Sequence, residues 1–393
     1  MEETKGPSWS DIPLDLAGRI LGRLHAHVDR VRFAAVCPQW RAAARQRPPL
    51  PPPMPMLLLP DATVYSLPGS EAFHFPGCAG YTDACGNWLV FNGDDGCFLR
   101  DPFSNATVTL PALSRDRIRY VGDESVDEAY IESMEMGEWL GREEPTCCKL
   151  VFCSPHLVAA IVMHWRAKRI AVCQPGATSW WSVSADNQYP DFVDLAFHQG
   201  KLYALTRMDT LFAMDISMDH STSDPWVSQM LQVINSPPLF IPSPYISLKM
   251  TYLVEARGAL LVVLRRMQCR RYAGVTGLAL FELIAGEQNE FEVFEANFGQ
   301  SQWTKVTLLG DDQVLFVRRR CCKSVCVSRD EMPGNCIFFL ENEGEDHRWS
   351  KVTSSSCSVY SMKDGNVSTP LPTVSWKRGL RDTPFATWLF PQN

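Results

Sequence analysis

Trp303-Thr304-Lys305-Val306 and Trp349-Ser350-Lys351-Val352 share one pattern, a tryptophan with a valine three positions on, and Trp180-Trp181-Ser182-Val183 repeats it. Trp303 and Trp349 stand 46 residues apart, and Trp226 follows Trp180 by the same 46, although Gln229 replaces the valine there. A recurrence at about 40–50 residues matches one blade of a propeller and has no place in a sandwich. Around these markers, short apolar runs recur at Trp88 to Phe91, Ala159 to Met163, Leu202 to Leu205, Leu260 to Leu264, Val314 to Val317 and Ile337 to Leu340. Turn formers separate them, at 92–96, Gln199-Gly200, Gly310-Asp311-Asp312 and Asp364-Gly365-Asn366. Val64-Tyr65-Ser66-Leu67 near the start is echoed by Val359-Tyr360-Ser361-Met362 near the finish. The expected fold is a large all-β propeller of about six blades, with one blade built from both chain ends because that hides two open sheet edges.

Composition narrows the function classes. The 393 residues are 46% hydrophobic and 21% charged, which suits a packed core and not a disordered chain. The 37 basic residues are outnumbered by 44 acidic ones, so nothing global points to nucleic acid. Met1 to Ser10 is polar, with no signal peptide, and runs such as Met56 to Leu59 are too short to span a bilayer. The expectation is a protein that is not exported and not in a membrane. Fourteen cysteines are present, but no C-x-x-C pair occurs, and Cys321, Cys322, Cys326 and Cys336 lack the spacing of a zinc knuckle. Reduced thiols are the expectation, with no metal and no cofactor. The sequons at Asn105 and Asn366 carry no weight without a secretory route.

Ahead of the β-region, residues 8–47 read as three short helices. Asp11-Ile12-Pro13 is a start signal, a capping residue before a proline in the first turn. Leu14, Ala17, Leu21 and Leu24, with Leu16 and Ile20, follow at helical spacing and give a wide apolar face. His25 to Asp29 reads as a turn, Val31 to Val36 as a second helix, and Cys37 to Ala44 as a third. So thin a core exposes apolar surface that a partner must cover. Seven arginines against three aspartates in this segment would suit an acidic partner. Residues 48–56, dense in proline, read as a stiff spacer before the propeller at 57–390.

The string Ile12-Pro13-Leu14-Asp15-Leu16, then Ile20-Leu21, Leu24 and Val36-Cys37-Pro38-Gln39-Trp40-Arg41, resembles an F-box, with isoleucine where leucine is usual at position 12. Phe192 to Leu205, Phe291 to Glu295, Trp303 to Leu309, Gly334 to Phe339 and Val359 to Gly365 are similar to a plant-specific β-propeller family. That family was long labelled domain of unknown function 295 (KIB-type), and an N-terminal F-box is common in it. The paired resemblance implies a plant F-box protein acting as substrate receptor of an SCF (cullin–RING) ubiquitin ligase in the nucleus or cytoplasm. The F-box would dock a Skp-type adaptor, and through it a cullin, while the propeller would bind a target protein. Pro13, Leu14, Leu16, Ile20, Leu24, Val31, Val36, Cys37 and Trp40 are the expected adaptor-binding residues, though Trp40 and Ile20 could equally fill the helical core.

Such a receptor needs no catalytic residue, since it acts by raising effective concentration. None of the G-x-S-x-G, H-E-x-x-H, Walker or G-x-G-x-x-G motifs that carry hydrolytic or nucleotide chemistry occurs in a fitting context. His156, His164 and His198 read as satisfied or surface histidines, and Asp94-Asp95 and Asp311-Asp312 as turn residues. The stretch 114–146 holds ten acids against four arginines and reads as a long loop off the propeller, either a solvated insertion or a recognition loop for a basic segment. The rival reading is a propeller that binds a carbohydrate or peptide outside any ligase, which would have no use for the Pro13 to Trp40 pattern.

Overall fold

A computed structural model describes residues 9, 12–45, 53–67, 69, 71–93, 96–120, 145–164, 167–184, 190–219, 222–235, 246–273, 279–283, 289–327, 332–341, 354–371, 375–377 and 386–392. Three helices, α1 (Leu14–Leu21), α2 (His27–Val36) and α3 (Pro38–Arg45), precede six β-sheets arranged as the blades of a propeller.

From the channel outward, the first blade runs Thr387–Leu389, Met56–Leu58, Thr63–Ser66, Ala72–His74, and the second Asp83–Cys85, Trp88–Gly93, Gly96–Arg100, Thr107–Pro111. The third runs Thr146–Ser154, Leu157–His164, Ala167–Cys173, Trp180–Ser184, and Asp116–Tyr120 adds a parallel strand at its outer edge. The fourth is the most regular, Phe192–His198, Lys201–Thr206, Leu211–Met218, Pro225–Ile234. The fifth is Ile246–Ala256, Ala259–Ala273, Glu290–Asn297, Gln302–Val306, with Ala279–Leu283 pairing the far end of its long second strand. The sixth departs from the meander. Lys323–Cys326 is innermost, Gln313–Val317 lies beside it, and Cys336–Leu340 pairs with the latter in parallel before Ser354–Ser361 and Val367–Ser368 complete the order. Ser375–Lys377 pairs with the start of Ser354–Ser361.

Stacking of blades explains the short, unbroken apolar runs. A strand sends alternate side chains to opposite faces, and a blade has a neighbour on both. Leu202 and Ala204 therefore enter the core between the third and fourth blades, while Tyr203 and Leu205 enter the core between the fourth and fifth. Ala159 and Ile161 are divided in the same way from Val158, Ala160 and Val162. Six such cores, one between each pair of neighbouring blades, hold the ring. Each fully buried Leu, Val, Ile or Phe contributes about 1.5–3 kcal/mol relative to exposure.

The tryptophan recurrence has a structural cause. Trp180, Trp226 and Trp303 all lie on the fourth strand of their blades. Trp180 donates its indole N–H to the Pro111 carbonyl of the preceding blade at 2.9 Å, and Trp303 donates to the Asp209 carbonyl of the preceding blade at 2.9 Å. Trp349 lies outside the described residues. Two hairpins need backbone that few residues supply: Gln199-Gly200 and Arg257-Gly258 have positive φ at both central positions, the geometry of a type I′ turn.

Closure joins both chain ends in one blade, through Thr387–Leu389 paired antiparallel with Met56–Leu58. The echoed tetrapeptides do not make that joint. Thr63–Ser66 belongs to the first blade and Ser354–Ser361 to the sixth, so the echo marks the same kind of strand in adjacent blades. Two further expectations are corrected. Asp116–Tyr120, read as part of a loop, is strand because its backbone pairs along Trp180–Ser184, and the acidic remainder, 121–144, lies outside the described residues. The proline-dense segment does not hold the helices away from the propeller. Met54 and Met56 are buried in propeller cores, the Met54 N–H donates to the His25 carbonyl at 3.0 Å, and Ala26 bridges Met54. Residues 48–52 lie outside the described set.

Candidate functional site

The helical unit has a small inward set and a larger outward one. Ala17, Leu21, Phe33 and Ala43 are buried, with Ile12, Leu24, Trp40 and Ala44 packed against them. The Trp40 ring lies 4.5 Å from Phe33 and donates its N–H to the Trp9 carbonyl at 3.2 Å. The start of α1 differs from expectation: the helix begins at Leu14, and the Pro13 carbonyl receives the N–H groups of Leu16 and Ala17 at 2.9 and 3.0 Å. The expected turn at 25–29 is also shorter, because α2 begins at His27. Cys37 is extended and its sulfur accepts the N–H of Trp40 at 3.4 Å, which caps α3.

The nine expected adaptor-binding residues therefore divide. Leu14, Leu16 and Ile20 on α1 are 43%, 49% and 37% exposed, and Val31 and Val36 on α2 are 53% and 56% exposed. Pro13 is also exposed. Leu24 and Trp40 are half-buried against the helical core, and Cys37, also half-buried, caps α3, so these three have a fold role as well. Exposed Trp9, 76% accessible, was missed by the motif pattern; an aromatic just ahead of an apolar helix was the available signal. The arginine excess is partly spent inside the molecule. Arg30 is buried and donates to the Leu24 carbonyl at 2.6 Å, and Arg41 donates to the Ala34 carbonyl at 3.1 Å.

The helices are docked on the propeller through α2. Val28 packs into the core between the first and second blades, and His27 meets Phe103 edge-on at 4.7 Å. Arg32 makes a two-toothed contact with Glu71 at 2.5 and 2.7 Å, and that hydrogen bonding holds the Glu71 carboxyl below its ordinary range. Glu71 lies in the turn between the third and fourth strands of the first blade, and Phe103 in the corresponding turn of the second.

At the ring's centre, innermost strands pack on one another: Asp83–Cys85, Thr146–Ser154, Phe192–His198, Ile246–Ala256 and Lys323–Cys326 in succession. Two buried carboxylates organise the charges there. Asp83 holds Arg318 at 3.4 Å and Arg320 at 2.9 Å, and Arg318 also donates to Thr387 at 3.1 Å, joining the sixth blade to the first and second. Asp194 holds Lys149 at 2.8 Å and accepts the Leu253 N–H at 2.6 Å. Neither acid was singled out from sequence; an aspartate inside an otherwise apolar strand, as in Phe192-Val193-Asp194-Leu195, was the signal. Toward the end with the turns Gly86-Asn87 and Arg257-Gly258, the channel holds a cavity of about 450 Å³.

Among the described residues no group of three or more His, Cys, Asp or Glu is placed to hold a metal, and no helix is long and apolar enough to cross a membrane. Burial pushes the Cys78 thiol up to about 12 and the Cys97 thiol up to about 11. His156 stands in an exposed turn, and His198 is buried with Nδ1 4.0 Å from Glu255; the His164 side chain lies outside the described residues.

Comparison with known proteins agrees with this architecture. The chain is 23% identical to F-box protein At2g26160 of Arabidopsis thaliana over 358 residues, covering 86% of this chain and 96% of that one. It is 23% identical to F-box protein SKIP23 of the same plant over 395 residues, covering 91% and 90%. A putative F-box protein, At3g25750, is 21% identical over 396 residues, covering 94% of each. Residues 56–361 match the family described as the KIB1-4 beta-propeller, and since that span takes in the second to fifth blades whole and most of the first and sixth, the chain belongs to this family.

Proposed function

We propose that this protein is the substrate receptor of an SCF ubiquitin ligase, with the helices docking a Skp-type adaptor, and through it a cullin, while the propeller holds the protein to be ubiquitinated. The observation that carries the reading is the row of apolar side chains left in solvent on α1 and α2. Leu14, Leu16, Ile20, Val31 and Val36 would each be more stable buried, yet the fold turns them outward. Leu16, Ile20 and Val36 occupy positions at which the F-box pattern was read, and Leu14 and Val31 flank them. Relatives named F-box proteins align over nearly their whole length, which supports the same reading. The protein's own part is non-catalytic: it fixes two partners near each other, and the chemistry belongs to the rest of the ligase. A nuclear or cytoplasmic site of action follows from that role.

A titration of the purified chain against a plant Skp-type adaptor tests the proposal, with Leu16→Ala and Ile20→Ala combined in a parallel sample. Binding that the double variant loses by at least about tenfold, with its melting curve unchanged, supports the receptor role. A folded chain that does not bind the adaptor overturns it.

A further inference from the structure

We propose that the cavity at the centre of the propeller is a binding site for a small organic anion carrying a flat apolar body. The proposal concerns the propeller alone and stands whether or not the helices dock an adaptor. At about 450 Å³ the cavity has the size of a small-molecule site. Five of the six blades contribute to its wall, the second through the sixth, so a bound molecule would touch most of the ring at once.

Its lining is divided by chemistry. Trp88 and Phe152, rings 5.0 Å apart, form an aromatic wall with Phe197 and Leu253 nearby. The charged residues that line it are Lys149, Arg257, Arg320 and Lys323, against a single acid, Glu255. The acids that hold three of these cations, Asp194, Asp312 and Asp83, do not line the cavity. They pair with Lys149, Arg257 and Arg320, and Asp83 is shared between two guanidinium groups. Lys323 is different. Its ammonium lies 5.3 Å from the Phe390 ring, and among the described residues no carboxylate is within ion-pair distance. Lys323 is itself exposed, yet partial desolvation by the surrounding walls lowers its ammonium's pKa, and an anion in the cavity would favour the charged form.

The irregular topology of the sixth blade places these residues. Lys323–Cys326 is an extra innermost strand, inserted between the parallel partners Gln313–Val317 and Cys336–Leu340 in sequence. Cys321, Cys322, Lys323, Ser324 and Cys326 all line the cavity. A regular four-stranded blade would not need this strand for its own pairing, and its insertion brings a lysine and a hydroxyl to the centre.

The test uses calorimetric titration of the full chain with three probes of one shape: 2-naphthalenesulfonate, neutral 2-naphthalenemethanol and cationic 2-naphthylmethylammonium. One sulfonate should bind per chain, at least about tenfold tighter than the other two, as expected for a charge met in a site of reduced dielectric. Lys323→Gln should weaken it and Lys323→Glu should weaken it further, by at least about tenfold in all. Lys305→Glu, on the outer surface of the fifth blade, should leave it unchanged, which separates the site from a general charge effect. The proposal is overturned if millimolar sulfonate gives no heat, if all three probes bind alike, or if the Lys323 and Lys305 variants behave alike. Melting curves of each variant, taken without probe, exclude loss of fold as the cause.

Discussion

Lys149 Nζ lies 2.8 Å from Asp194 Oδ1, and both side chains are buried beside the channel. The carboxylate also accepts the N–H groups of Leu195 at 2.8 Å and Leu253 at 2.6 Å, so the third, fourth and fifth blades meet on one side chain. Lys149 Nζ in turn lies 3.5 Å from the Arg319 carbonyl, which precedes the inner strand of the sixth blade. Removing either partner strands a charge in the interior, at a cost of about 3–5 kcal/mol. Asp194→Ala should be the worse of the two single changes, because it also orphans two buried N–H groups, and Lys149→Met the milder. Urea denaturation of both variants checks the order; equal midpoints would show that the backbone contacts contribute nothing.

The helical core and the exposed helix face should respond oppositely to truncation. Trp40→Ala removes a ring packed on Phe33 and should cost about 3 kcal/mol, enough to loosen the small helical unit. Leu16→Ala removes a side chain that is half in water and should change stability by less than about 0.5 kcal/mol. Circular dichroism melts of the two variants separate a packing residue from one held ready for a partner.

Docking of the helices should depend on Arg32 and Glu71. Arg32→Glu sets two carboxylates against each other at the contact, and faster backbone hydrogen exchange in α2 is expected, with the propeller blades unaffected. Adding Glu71→Arg to the same chain should restore protection. If the single reversal leaves α2 exchange as it was, Val28 and His27 alone secure the docking.

Asp116 sets a pH dependence of its own. Burial at the edge of the third blade pushes its carboxyl up to about 6, above the value near 4 of an unfolded chain. The folded form therefore holds the proton more tightly. This favours folding below about pH 4 and is lost as pH rises through about 6. Asp116→Asn should raise stability at pH 7 by about 1–2 kcal/mol, allowing for partial solvent screening, and change little at pH 4. Thermal melts at the two pH values check the sign, and a variant less stable at pH 7 would show that the charge is satisfied in place.

Trp303→Phe keeps an aromatic ring but removes the pyrrole part of the indole, with the N–H that reaches the Asp209 carbonyl and some of its packing on the core between the fourth and fifth blades. Loss of about 1–3 kcal/mol is expected, felt between those blades. Hydrogen exchange in the strands Lys201–Thr206 and Gln302–Val306 would locate the weakening.

Much of the architecture was legible because it is locally encoded. Leu202 to Leu205 reads as a strand buried on both faces from its unbroken apolar run, and Gln199-Gly200 supplies the turn before it. The tryptophan spacing counts blades because an outer-strand indole must reach the blade before it. What that recurrence could not show is the sixth blade. Gly334 must pass against the backbone of Asp311, where a Cβ would overlap the carbonyl, and only this approach lets the Asn335 N–H meet the Gln313 carbonyl and start the parallel pairing. That contact joins residues about twenty positions apart and leaves no periodic trace.

The apolar pattern of α1 and α2 by itself determined that these helices carry more hydrophobic surface than three short segments can bury. Tertiary packing decided which of those side chains are inside. Leu21 and Phe33 fill the centre and Trp40 closes over Phe33, which leaves Leu16, Ile20 and Val36 in water. A helical period places residues on faces, but which face turns inward depends on the neighbour that covers it. The same holds at the channel. Lys149 and Asp194, and Asp83 with Arg318 and Arg320, lie far apart in the chain, and their charges meet only because ring closure brings the blades together beside the channel.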